Sequence, residues 1–216
     1  MTPAELAALH PRLFHVTDPD AWPSIRERGL LSAEALTALF ELPPCRREAL
    51  LGGRRAGGVT IAHPRHGRAV LNDNLPLSLD ALAACLDDGL SPADWLRHLN
   101  ARVFFWVDRE RVARLLGART NRHRPRLVLE LDTASVASGH AEALCLSPIN
   151  SGSTIRKAAR RGLGTHTPLG RHSHADWRRL RGGRDRVVEV TVTGAVPDVE
   201  RHLRDAWRSD GVPIRR

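Results

Sequence analysis

The order in which helix and strand signals follow one another constrains this chain more than any other feature. Capped helical patterns gather in the first half, while the best strand patterns, Arg126–Asp132, Ala143–Ser147 and Arg186–Thr193, fall in the second. That order predicts an α+β fold with an N-terminal helical portion and argues against regular βα alternation. A chain of 216 residues suits a single domain, 1–216, with a core of its own.

Local signals fill in the elements. Thr2 caps a lead-in helix that opens at Pro3, and Arg12–Thr17 is a short strand. Asp18–Gly29 is expected as one capped helix with Trp22, Ile25 and Arg26 on one face. Ser32, Ser78, Ser91 and Asp108 each precede a further helix, and another follows Pro43 and Pro44. Gly58–Ala62 and Arg68–Asn72 make a hairpin. Ala101–Val107 is apolar without alternation, so it is expected in the sheet interior with both faces covered. Pro148–Arg184, rich in Gly, Ser, Arg and His, is expected as a long functional loop.

The 33 basic and 24 acidic residues leave a net charge of +9, a surface that attracts phosphates. Lys157 is the only lysine, so 32 cations are arginine. Arginine suits bidentate phosphate recognition, yet coding bias also gives such an excess. Charge alone therefore leaves nucleic-acid contact and a solvated basic face both open. Cys45, Cys85 and Cys145 are odd in number and widely spaced, which indicates neither a disulfide framework nor a zinc ribbon and favours a reduced, cytoplasmic setting. No apolar run is long enough to span a bilayer and no signal segment is evident, so no membrane role is expected.

Several residues carry chemistry. Glu189 interrupts a strand in which Val188, Val190 and Val192 share one face. It reads either as a solvent-facing carboxylate or as a catalytic one at the floor of a cleft. His15 lies between Phe14 and Val16, with Thr17 on its own face, and reads as a packed core imidazole or as a ligand-orienting group. In Leu146–Lys157 (LSPINSGSTIRK), the small residues allow close approach, and the backbone N–H groups of Ser151–Ser153 offer an anion cradle. Arg54 and Arg55 make either an exposed loop or a phosphate clamp. The groups His63/His66 and His166/His172/His174 lack carboxylate or cysteine partners at ligand spacing, so no metal is expected.

LFHVTDPDAWPSIRERGLLS, a strand ending in His-x-Thr followed by a helix closing in Gly-Leu, resembles the opening of DarT-type ADP-ribosyltransferases. RVFFWVD is similar to their aromatic strand and RVVEVTV to the late strand that bears their glutamate. SPINSGST resembles a block in a bacterial relative of that group. The resemblance implies a split antiparallel sheet and NAD as co-substrate, with transfer of ADP-ribose and release of nicotinamide. His15 and Thr17 would meet the nicotinamide-side ribose, and Phe105 or Trp106 would enclose the nicotinamide. Glu189 would stabilise the oxocarbenium-like ribose. Asn150, Ser151 and Ser153 are taken as further cofactor contacts. Arg54 or Arg55 stands for the acceptor-side arginine, with Arg55 carried forward as catalytic. The implied acceptor is a DNA or RNA base held by Arg54, Arg55 and the arginines of 156–161, in a toxin-like enzyme with an antitoxin or de-ADP-ribosylating partner. The alternative is a non-catalytic nucleic-acid or nucleotide-binding module of the same fold.

Overall fold

A computed structural model describes residues 1–119, 121–155 and 158–214. Arg156 and Lys157, part of the expected arginine-rich loop, lie outside the described residues. The strands are β1 (Arg12–Thr17), β2 (Leu30–Leu31), β3 (Val59–His63), β4 (Gly67–Leu71), β5 (Arg102–Trp106), β6 (Leu127–Asp132), β7 (Leu144–Ser147), β8 (Thr167–Pro168), β9 (Glu189–Thr193), β10 (Ala195–Val196) and β11 (Leu203–Arg208). The helices are α1 (Pro3–Leu9), α2 (Trp22–Arg28), α3 (Ala33–Leu39), α4 (Pro44–Gly52), α5 (Leu79–Ala83), α6 (Pro92–Asn100), α7 (Arg109–Gly117), α8 (Thr133–Gly139), α9 (His174–Leu180) and α10 (Val199–His202). The fold is α+β, as expected.

Seven strands form one antiparallel sheet in the order β11-β6-β1-β5-β9-β7-β8. Its two halves are well knit internally. β1 pairs with β6 from Arg12↔Asp132 to Thr17↔Leu127, and β5 pairs with β9 from Arg102↔Thr193 to Trp106↔Glu189. Between the halves, β1 and β5 share a single pair, Phe14↔Trp106.

Helices cover both faces. Leu13, Leu129, Phe105 and Val190 point to one side, where Leu6 of α1, Ile25 of α2, Val136 of α8, Trp177 of α9 and Val199 of α10 complete the main core. On the other side Val112 of α7 meets Phe14 and Val128, and Trp95, Leu96 and Leu99 of α6 receive Phe104. The hairpin β3–β4 closes a smaller cluster with Phe40. Trp95 and Trp177 are fully buried; replacing such a residue with Ala costs about 3–5 kcal/mol.

Caps explain most helix starts. Thr2 and Glu5 form a capping box, as do Ser91 and Asp94, and Ser32 and Asp108 accept from Ala35 and Arg111 N–H groups. Ser78 makes no side-chain cap; Thr154 Oγ1 instead accepts its N–H at 2.8 Å. Gly29 ends α2 with a φ of 75°, and a Cβ there would meet the Val196 carbonyl at 2.4 Å, so the close approach of α2 to β10 requires glycine.

Four expectations need correction. Asp18–Gly29 divides into a 3₁₀ turn, Pro19–Ala21, and α2, and Ser24 rather than exposed Arg26 joins Ile25 on the buried face. β5 is not covered on both faces: Val103 and Phe105 are buried, whereas Phe104 and Trp106 are only partly so. The segment 148–184 holds a 3₁₀ turn, β8 and α9, the last capped by Ser173. β9 begins at Glu189 rather than at Arg186, whose φ of 51° takes it out of the extended backbone.

Candidate functional site

Where β1 and β5 stop pairing, the sheet opens. Phe14, Trp106 and Glu189 are register partners in turn and so share a face, while His15, next along β1, points to the other. A hollow of about 320 Å³ occupies the gap and receives His15, Val16 and Thr17 from β1, Phe104, Phe105 and Trp106 from β5, and Glu189 from β9. That volume lies within the range of small-molecule sites. Because the hollow runs through the opening, side chains from both sheet faces meet in it.

Glu189 is buried, 5% exposed, which excludes the solvent-facing reading. Its Oε2 accepts the Ser151 hydroxyl at 2.6 Å and the Ser151 N–H at 3.1 Å. Burial pushes its carboxyl up to about 7, against the pull of the two Ser151 hydrogen bonds and of Arg161. Arg161, itself buried, donates to the Ser151 carbonyl at 2.9 Å, and Trp95 Nε1 donates to the same oxygen at 3.4 Å. Ser151 is thereby held from both ends. The cradle expected of Ser151–Ser153 is occupied by the protein's own carboxylate: Ser151 N–H serves Glu189, and Ser153 N–H donates to the Asn150 carbonyl. Asn150 and Gly152 line the hollow, but Ser153 does not.

His15 Nδ1 lies 2.9 Å from the Phe104 carbonyl oxygen. A carbonyl only accepts, so Nδ1 carries the proton and the neutral ring keeps a lone pair on Nε2. Burial holds its pKa below the ordinary value despite that bond. Thr17, buried, donates to Asn72 Oδ1 at 3.3 Å, and Asn72 Nδ2 donates to the Val16 carbonyl at 3.4 Å. Asn72 also lines the hollow; it was not singled out in the sequence.

Other expected roles shift. Phe105 is 1% exposed and packs in the main core, yet it lines the hollow beside Phe104 and Trp106; of the three aromatic rings, Phe104 and Trp106 are the partly exposed ones. Arg55 borders the hollow, but its guanidinium is engaged: Nε donates to the Asn72 carbonyl at 2.9 Å, Nη1 to Leu50 O and Nη2 to Asn100 Oδ1 at 2.8 Å. It braces the wall. Arg54 is spent on the carbonyls of Leu75 and Leu77. In the expected 156–161 cluster, Arg160 pairs with Asp87 and Arg161 is buried. Asp73, deep in the same wall, binds Arg124 and Arg126. Burial acts to raise its carboxyl, but these arginines and the Leu75 N–H together hold it below the usual range.

His63 and His66 stack on each other, and His166 joins His98 rather than His172 or His174. Burial lowers His98 to about 4 and His166 to about 3, so both are neutral at neutral pH. Among the described residues, the group whose ligand atoms converge is His140, Asp198 and His202, none of which lines the hollow. No helix among the described residues is long and apolar enough to cross a membrane.

No curated protein matches the chain significantly. The model of a family of unknown function, DUF7002, matches residues 11–203, a span that contains every residue of the hollow, and the chain belongs to that family.

Proposed function

We propose that the chain is an NAD-dependent mono-ADP-ribosyltransferase. The bond between the nicotinamide nitrogen and the ribose C1′ breaks, nicotinamide leaves with the electron pair, and an acceptor nucleophile bonds to C1′ and gives up its proton. Positive charge develops on the ribose, and a fixed carboxylate in a water-poor hollow stabilises it. In this reading Glu189 accepts a ribose hydroxyl and faces that charge. His15 Nε2 accepts a second hydroxyl, and Phe104 and Trp106 flank the nicotinamide. Asn150 borders the cofactor, and Ser151 positions Glu189. The observation that carries the proposal is the buried Glu189, bonded twice by Ser151 and meeting His15 from the opposite half-sheet in one hollow.

The acceptor in this reading is a nucleic-acid base. Exposed Arg184 and Arg186, between α9 and β9, give a phosphate backbone partners, whereas Arg178, Arg179, Arg54 and Arg55 are engaged within the chain. An antitoxin or de-ADP-ribosylating partner would accompany such an activity.

Labelled NAD incubated with DNA, RNA or cell lysate provides the test. Label transfer by the wild type should fall at least about 10²-fold in Glu189→Gln, and the wild-type rate should climb as pH rises through about 7, where Glu189 ionises. No transfer and no NAD consumption, with salt-sensitive nucleic-acid binding unchanged in Glu189→Ala, would instead identify a non-catalytic binding module.

A further inference from the structure

Away from the hollow, three side chains meet between α8 and α10. His140 directly follows α8, Asp198 directly precedes α10, and His202 is the last residue of α10. His140 Nε2 lies 2.8 Å from Asp198 Oδ1, His202 Nε2 lies 3.3 Å from the same oxygen, and the two Nε2 atoms are 3.3 Å apart.

We propose that His140, Asp198 and His202 bind one divalent transition-metal ion, zinc by donor chemistry, that fastens α8 to α10. Tetrahedral zinc, with bonds of about 2.0–2.1 Å to nitrogen and oxygen, sets its ligand atoms about 3.3 Å apart. Two edges of the observed triangle have that length and the third is slightly shorter, so an ion just above the triangle reaches all three atoms. Water completes the fourth position.

A neighbour of these side chains points the same way. Ser135 Oγ lies 2.7 Å from His202 Nδ1. When it accepts the Nδ1 proton, the Nε2 lone pair is left facing the triangle, the orientation that outer hydrogen bonds impose on metal-bound imidazoles. With the proton of His140 on Nδ1 as well, two ring lone pairs and a carboxylate converge on one point, where either a proton or a metal ion must lie between them. His202 is 3% exposed, while the Asp198 side chain keeps 31% exposure, which leaves an open side from which an ion and its water can enter. Imidazole and carboxylate donors without thiolate suit zinc, copper or nickel over magnesium or calcium. The ion would tie together α8, α10 and, through Leu203, the start of edge strand β11.

The experiment uses the untagged full chain, stripped with a chelator and titrated with zinc by calorimetry and with cobalt(II) by visible absorption. The expected result is one equivalent bound per chain, a four-coordinate cobalt spectrum, and a Tm raised by about 5–10 °C at a hundredfold excess of zinc over Kd. The His140→Gln/His202→Gln double variant should lose all three signals, and Ser135→Ala should weaken binding by about 10- to 100-fold. Near-UV circular dichroism without metal checks that the double variant is folded; if it is not, Asp198→Asn, which keeps an acceptor but removes the charge, replaces it and should lose at least tenfold in affinity. Wild-type binding no tighter than the variant's, or stoichiometric binding that the substitutions leave intact, would overturn the site; the first result would mean that protons hold the three groups together.

Discussion

Along its edge with β6, strand β1 pairs from Arg12 through Thr17; along its edge with β5 it pairs once, at Phe14. The same six residues therefore build a closed seam on one side and an open one on the other. At the open seam, backbone groups that a ladder would have satisfied are taken up by side chains: the Phe104 carbonyl by His15 and the Val16 carbonyl by Asn72. A broken ladder is tolerable when its freed polar groups find such partners. Because those partners project into the gap, the opening becomes a polar-edged hollow with a buried carboxylate on its far wall.

The sharpest way to break this comparison is to weaken each seam in turn. Leu129 of β6, fully buried opposite His15, fixes the closed seam, and Leu129→Ala should cost about 2–5 kcal/mol. Val16, paired with Val128 on one edge and facing the opening on the other, is only partly buried, and Val16→Ala should cost less than about 1.5 kcal/mol. Urea denaturation of both variants measures the contrast. Equal losses would mean that the two edges of β1 are alike and that the opening has no energetic counterpart.

A slightly smaller effect reports on the far wall. Glu189 holds its proton up to about 7 in the folded chain, against an ordinary value of 4.5, so the folded state binds more protons than the unfolded state between those values. Its contribution favours folding at low pH and fades as pH rises through about 7. Glu189→Gln lacks this dependence. The stability of the variant relative to wild type should therefore rise from pH 4 to pH 8, by up to about 3 kcal/mol. A flat difference across that range would show that Glu189 is ionised throughout and that the hollow is wetter than its lining suggests.

The sequence made the closed parts of the molecule legible and left the open seam dark. Arg12–Thr17 and the starts of the helices after Thr2, Ser32, Ser91 and Asp108 follow from local patterns, since caps and strand periodicity act over a few residues. His15 and Glu189 were visible as polar residues in apolar strands, but alternation cannot tell a buried carboxylate from an exposed one. The choice between Phe104 and Phe105 was equally hidden. Every residue from Val103 to Val107 is apolar, and only the neighbours of β5 decide which face lies open. Helix α9 did carry a signal, Ser173 and Asp176 before Trp177, with Ser173 accepting from the Asp176 N–H, but the Gly- and Arg-rich flanks masked it. Asn72, distant in sequence from both β1 and β5, gave no warning at all.

Asn72 offers the finest test of what keeps the seam open. Its amide reaches Val16 and receives Thr17 at 3.3–3.4 Å, long bonds made by a partly buried side chain at the rim of the hollow. Asn72→Ala should cost less than about 1 kcal/mol of stability, because water replaces the lost partners. If it costs more than about 2 kcal/mol, the bonds from Asn72 to the end of β1, rather than the packing of the two half-sheets, hold β1 away from β5. Removing them would then let the strands shift toward pairing, and binding in the hollow should fall with stability. If the cost stays small while NAD affinity drops severalfold, Asn72 belongs to the ligand's surroundings more than to the fold, and the open seam is maintained by the cores on either side of it.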